Sequence, residues 1–183
     1  MMDVYEPRED SFLLAEQVKR YSKGRVLDMG TGSGILASVA SETADEVVAC
    51  DIDDGAIALA KKNLKDKGVS VIKSDLFSGI EGLFDVIIFN PPYLPDPEDD
   101  RARHTALDGG KEGWELIGRF LSSAGRFLKS DGMILLLFST FSDKDKVEEL
   151  IAKNGFLFEQ VSEMDLFSEI LYVYKLRKKI HVD

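Results

Sequence analysis

Arg25-Val26-Leu27-Asp28-Met29-Gly30-Thr31-Gly32-Ser33-Gly34-Ile35-Leu36-Ala37 is the stretch on which the fold turns. Five residues of strand length lead into three glycines spaced by single residues, and the run Ile35 to Ser41 then opens a helix. Strand, glycine turn and helix in that order put the turn at the carboxyl end of a strand in an α/β sheet, where such sheets bind nucleosides. The pattern is not a dinucleotide fingerprint. That motif, G-x-G-x-x-G, would put its third glycine at position 35, which is Ile, whereas here it comes one residue early, at Gly34. Asp28, two residues before Gly30, would repel a pyrophosphate and favour a cation or an ammonium. A positively charged, non-phosphorylated nucleoside is the expected ligand of this turn.

On both sides of the turn, apolar runs of strand length alternate with segments of helical period. Upstream, a helix capped by Asp10 and Ser11 is expected to carry Phe12, Leu13, Leu14 and Val18 toward Tyr21 on one apolar face, with Gly24 ending it. Downstream, Glu46 to Asp51 reads as a second strand. Asp53 and Asp54 cap a helix that bears Ile57, Leu59, Ala60 and Leu64 and runs up to Gly68. Val69 to Lys73 is a third strand and Phe84 to Phe89, nearly all apolar, a fourth. A polar stretch from Pro95 to Glu112 precedes a helix from Gly113 to about Phe127 and the strand Met133 to Phe138. Asp143 to Asn154 is a last helix, and Phe156 to Val161 with Glu169 to Lys175 alternate as a closing pair of strands. The expected architecture is α/β: a Rossmann-like, seven-stranded, mostly parallel sheet with helices on both faces and an antiparallel C-terminal strand. No repeat or linker divides the chain, so residues 1–183 are expected to form a single domain.

Composition narrows the function classes. With 44% hydrophobic and 31% charged residues among 183, the chain has the make-up of an ordinary globular domain large enough to build its core without a metal or disulfide. Cys50 is the single cysteine, which fits a reducing, cytoplasmic setting. No apolar stretch approaches the roughly 20 residues of a membrane span, and the first residues lack a basic patch followed by an apolar run. Lys plus Arg is 23 against 33 Asp plus Glu, a net charge of −10 that opposes capture of a polyanion. Stable nucleic-acid binding is therefore not expected.

The remaining site residues stand at successive strand ends. Asp51 closes the second strand 21 residues after Gly30, where a carboxylate can accept both ribose hydroxyls; Ile52 is its neighbour in the site. Asp75, after the third strand, is placed to accept from an exocyclic adenine amine, with Leu76 stacking on the ring. Acids and glycines in this order describe S-adenosylmethionine, a sulfonium with an amino-acid end. Asn90-Pro91-Pro92-Tyr93 then follows the fourth strand. The Asn90 side-chain carbonyl and the Pro91 backbone carbonyl give two acceptors, which the prolines hold in place, and Tyr93 supplies a flat wall. A planar NH2 group donating both hydrogens to those acceptors is drawn toward tetrahedral geometry with its lone pair facing the methyl group. No strong base is needed, because the alkylated nitrogen is acidic.

These residues resemble the class I S-adenosylmethionine-dependent methyltransferases whose Asn-Pro-Pro-Tyr tetrad methylates planar nitrogens. The opening Val4-Tyr5-Glu6-Pro7-Arg8-Glu9-Asp10-Ser11-Phe12-Leu13-Leu14 is similar to that of the HemK-like release-factor glutamine methyltransferases of the archaeal and eukaryotic type. Gly109-Gly110 through Gly113, Arg119-Phe120-Leu121 and Glu169 to Val173 match as well. The resemblance implies that Ser11 touches the methionine end of the cofactor beside Asp28, Gly30, Gly32, Asp51, Asp75, Leu76 and Asn90. It implies the glutamine of the Gly-Gly-Gln loop of a class I release factor as substrate, and a small zinc-binding activator protein at the Val69–Lys73 edge. One departure is Asp28 where many relatives have Glu, one methylene shorter with the charge kept.

The competing reading is methylation of an exocyclic amine of adenine or guanine in RNA or DNA, which shares the tetrad but usually calls for a basic recognition surface. A cofactor-binding subunit without activity is disfavoured by the intact tetrad. His104 and His181 have no ligand-spaced partners, so no metal is expected. Asp96 to Asp108 reads equally as a substrate-gripping lid or a surface loop, Trp114 as core filling, and Lys175 to Lys179 as a solvated basic end.

Overall fold

The computed structural model describes residues 7–92 and 113–179. Seven strands form one sheet: β1 (Arg25–Met29), β2 (Glu46–Asp51), β3 (Ser70–Lys73), β4 (Phe84–Phe89), β5 (Leu128–Ser139), β6 (Phe156–Asp165) and β7 (Ile170–Lys178). Their order is β3-β2-β1-β4-β5-β7-β6. The first five run parallel, while β7 is antiparallel to both β5 and β6. The chain reverses direction across the sheet between β1 and β4, so the ends of these two strands flank the crevice where open α/β sheets take ligands.

Alternation along the strands divides the core into two layers. Val26, Val47, Ala49, Val86 and Ile88 face α1 (Glu9–Tyr21), α2 (Ile35–Ala40) and α3 (Asp54–Asn63). Leu27, Met29, Val48, Cys50, Ile87 and Phe89 face α4 (Glu115–Ala124) and α5 (Lys144–Lys153). By the same alternation Asp28, Asp51 and Asn90 fall on the α1–α3 side, and the register sets Met29 opposite both Cys50 and Phe89. Phe89 stacks on Phe120 of α4 at 4.3 Å between centroids, and Phe120 stacks on Phe77 at 5.3 Å. Each such ring contributes about 2–3 kcal/mol by burial. The stack thereby fixes both the end of β4, just before Asn90, and the turn that carries Asp75.

Several expectations change. The first helix begins at Glu9 with Arg8 as N-cap and no side-chain cap; Asp10 and Ser11 lie inside the first turn, buried. Phe12 is 57% exposed, because at 100° per residue it falls off the arc of Leu13, Leu14 and Val18. The helix stops at Tyr21, and Gly24, at φ +59, makes the turn into β1. α3 ends at Asn63 rather than near Gly68, and α4 covers Glu115–Ala124 with Trp114 as its N-cap. β5 starts at Leu128, five residues early, where Leu128 pairs with Phe84 ahead of a register shift. Tyr93, the Asp96 to Asp108 segment, Gly109, Gly110 and both histidines lie outside the described residues.

Candidate active site

The glycine turn is held by two acids. Asp28 is fully buried; its Oδ2 accepts from Thr31 Oγ1 at 2.6 Å and from the Ala37 amide at 3.0 Å, tying β1 to the first turn of α2. Its Oδ1 is buried and has no partner among the described residues. Burial above all raises its pKa to about 7, against the two hydrogen bonds that favour the ionised form and with some help from the Asp51 charge. Asp51 accepts from the Gly32 amide at 2.9 Å through Oδ2 and from the Asp53 amide at 3.0 Å through Oδ1. The end of β2 and the glycine turn are thus one hydrogen-bonded unit, and the remaining lone pairs of Asp51 are those left for a ligand.

Gly32 and Gly34 show why glycine is needed at these positions. Both have positive φ, +52 and +86, but their surroundings differ. A Cβ on Gly34 would lie 2.9 Å from Leu64 Cδ1, so this residue lets α2 pack on the segment after α3. A Cβ on Gly32 would meet nothing within 4 Å among the described residues. With respect to them the space above Gly32 is open, and a ligand can approach its backbone.

Asn90 follows β4 on the same side of the sheet. Its Nδ2 donates to Asp10 Oδ2 at 2.9 Å, and its buried Oδ1 has no partner among the described residues. Pro91 is buried and Pro92 half-buried. Ser11 is buried, with its Oγ 3.4 Å from Asp10 Oδ1. Ile52 is half exposed beside Asp51.

Asp75 stands apart from this group. Its carboxylate meets the Arg119 guanidinium at 3.1 and 3.2 Å, and with Leu76 it lines an open cavity of about 500 Å³ against α4 that includes none of Asp28, Asp51 and Asn90. Leu76, at φ +45, packs partly on the core. The structure therefore gathers Ser11, Asp28, Gly30, Gly32, Asp51, Ile52, Asn90 and Pro91 around the ends of β1, β2 and β4, with Asp75 and Leu76 to one side at the end of β3. Sequence reasoning did not single out Asp10 and Thr31, which hydrogen-bond Asn90 and Asp28, nor the hold of Arg119 on Asp75. The signal for Asp10 was present, since it leads Leu13, Leu14, Gln17 and Val18 by helical steps on the buried face.

These residues suit S-adenosylmethionine. Among the described residues Asp28 Oδ1 and Asn90 Oδ1 are buried acceptors without donors, and both lie at the ends of adjacent strands on one side of the sheet, where a bound group can supply the donors. The open approach over Gly32 and the acid at the end of β2 complete a set that would receive an ammonium and sugar hydroxyls.

Comparison with known proteins bears on the family and the fold. The family described as Methyltransferase small domain matches residues 8–163. A protein of Methanocaldococcus jannaschii, provisionally named a protein N5-glutamine methyltransferase, is 35% identical over 178 residues, covering 93% of this chain and 90% of that one. The release factor glutamine methyltransferase of Deinococcus radiodurans is 36% identical over 135 residues; the match spans 68% of this chain but only 49% of that longer protein. Among solved structures, the E. cuniculi Mtq2–Trm112 complex, described as responsible for methylation of the translation termination factor eRF1, superposes with a TM-score of 0.80. It is 28% identical, covering 97% of this chain and all of that one.

Proposed function

The chain belongs to the Methyltransferase small domain family, as a class I methyltransferase of the HemK-like group, and from that premise we propose that it methylates N5 of the glutamine in the Gly-Gly-Gln loop of a class I release factor. S-adenosylmethionine is the proposed methyl donor, bound by Ser11, Asp28, Gly30, Gly32, Asp51, Ile52, Asp75, Leu76 and Asn90. The observation that carries the reading is the buried Oδ1 of Asn90, without a partner among the described residues, beside the acid-held glycine turn. The names of the relatives, which are those of glutamine methyltransferases, support it.

When bound, the cofactor supplies an electrophilic methyl on a sulfonium. The chain's own residues hold the acceptor. Asn90 Oδ1 and the Pro91 carbonyl each accept one hydrogen of the substrate NH2, and the two prolines keep those oxygens fixed, so little reorganisation is needed as charge develops on nitrogen. Tyr93, outside the described residues, would by the family resemblance serve as the flat wall of the tetrad. Asp28, when ionised, would hold the ammonium of the cofactor, and Asp51 would hold the ribose. Asp75 would read the adenine amine while keeping its ion pair with Arg119.

We also place a small zinc-binding activator protein at β3. Among the described residues no strand lies beyond it, and the related Mtq2 structure is a complex with Trm112. Val69 and Val71 pack partly on one core layer and Ile72 on the other, so the edge offers its backbone more than its side chains. No described helix is long and apolar enough to cross a membrane. The chain is proposed to act as one domain in the cytoplasm, where release factors work.

The test is methyl transfer from labelled S-adenosylmethionine into a purified release factor, with mass spectrometry of the loop peptide. Label on the loop glutamine is expected, and Asn90→Ala should lose roughly a hundredfold in rate while keeping most cofactor affinity. Label in nuclease-sensitive material instead would assign the enzyme to base methylation.

A further inference from the structure

We infer that Asp10 is a positioning residue for Asn90: by taking the Nδ2 hydrogen bond, it fixes which way the Asn90 amide points and so presents Oδ1 to the acceptor nitrogen. The inference rests on the proposed role of Asn90. An asparagine side chain carries an acceptor and a donor on nearly isosteric arms, and only one orientation suits a substrate that arrives with two N–H groups to give. Reversed, Asn90 would meet the substrate donor-to-donor, and the tetrad would repel the group it must hold. Pro91 cannot correct this, because prolines fix the backbone and leave the side-chain torsion of Asn90 free.

What fixes that torsion is visible in the structure. Asp10 is 2% exposed on the first turn of α1 and accepts from Asn90 Nδ2 at 2.9 Å, across 80 residues of sequence. A carboxylate in this contact accepts, and a flipped Asn90 would set its carbonyl oxygen against a carboxylate oxygen in a site with little water to separate them. The penalty acts only on the wrong orientation. Asp10 is held in turn by its helix, since Leu13, Leu14 and Val18 on the same face are anchored in the core beneath β4 and β5. The chain thus couples α1 to the end of β4 through one directional hydrogen bond, and the alternation that put Asn90 on the α1 side of the sheet makes that contact available.

Two substitutions separate positioning from mere packing. Asp10→Ala removes the acceptor and releases the amide, whereas Asp10→Asn keeps the shape and packing but can donate as well as accept, so it pairs with either orientation of Asn90. With saturating S-adenosylmethionine and the release factor as substrate, Asp10→Ala should slow single-turnover transfer roughly tenfold or more, with cofactor affinity by calorimetry little changed. Asp10→Asn should slow it as well, by a smaller factor, whereas a residue that only packs would leave the rate of Asp10→Asn unchanged. Independently of activity, the Asn90 side-chain NH2 signals, assigned by their loss in Asn90→Ala, should be widely separated in the native chain, shift in Asp10→Asn and draw together in Asp10→Ala. If Asp10→Ala does not fold, the rate and spectrum of Asp10→Asn against the native chain decide. Full rate in either variant, or Asn90 signals indifferent to position 10, would overturn the inference. A native chain that transfers no methyl to glutamine overturns the proposed function instead, and the amide spectrum still reads this contact.

Discussion

At Asp28 burial and function pull in opposite directions, and pH separates them. The folded chain holds this carboxyl with a pKa of about 7, above its ordinary value of 3.8, chiefly because the group is buried. Between those values the folded state keeps a proton that the unfolded state has released. This contribution to stability is therefore fully present below about pH 4 and is lost as pH rises through 7. The ligand-free native chain should lose stability between pH 5 and 8 relative to Asp28→Asn, measured as the difference in denaturant midpoints. A cationic ligand works with the opposite sign, because it favours the ionised form. Affinity for S-adenosylmethionine should rise by up to about tenfold per pH unit below 7 and then level off, and Asp28→Asn should abolish that dependence. A flat affinity profile in the native chain would remove Asp28 from the ammonium site.

The glycine turn shows how a single element divides its duties. Gly34→Ala forces a side chain into positive φ and against Leu64, so it should cost about 2 kcal/mol or more and lower the melting temperature by several degrees. Gly32→Ala meets open space; it should cost less stability but more cofactor affinity, read by melting and calorimetry on the same samples. Sequence legibility followed the same division between buried frame and site. β1, β2 and β4 have the expected bounds, because parallel strands covered on both faces read as near-continuous apolar runs. The far ends of β5, β6 and β7 were not legible: Ser162 to Asp165 and Leu128 to Ser130 are largely polar or charged, and only their pairing partners make them strand. The site was legible where a motif sits at a strand end, as with Asp28, Asp51 and Asn90. It was not where the contact is long-range. Asp10 reads as a helix cap until β4 is laid beside α1, and the hold of Arg119 on Asp75 depends on a helix 44 residues away.

At the scale of the whole molecule the sheet has one edge at β3 and another at β6, and they differ in what they lead to. β3 is four residues long, pairs only with β2 among the described strands, and runs directly into the turn bearing Asp75 and Leu76. Along a strand both backbone groups of one residue point the same way, and successive residues alternate. The Ser74 amide donates to the Asp51 carbonyl, toward β2. Ile72 and Ser70 therefore face β2 as well, whereas Val71 and Lys73 direct their N–H and C=O groups outward. A partner that adds a strand would use those outward groups, and in doing so would steady the adenine end of the cofactor site. Proline at position 71 removes one outward N–H but no rung to β2, an exchange that edge strands tolerate. Val71→Pro should leave the free chain folded by circular dichroism while weakening capture of the activator, and it should remove the activator's stimulation of methyl transfer without lowering the rate of the chain alone. Ile72→Pro, which breaks a β2 rung, should instead unfold the edge with or without the partner. Undiminished capture by Val71→Pro would place the activator on some other surface.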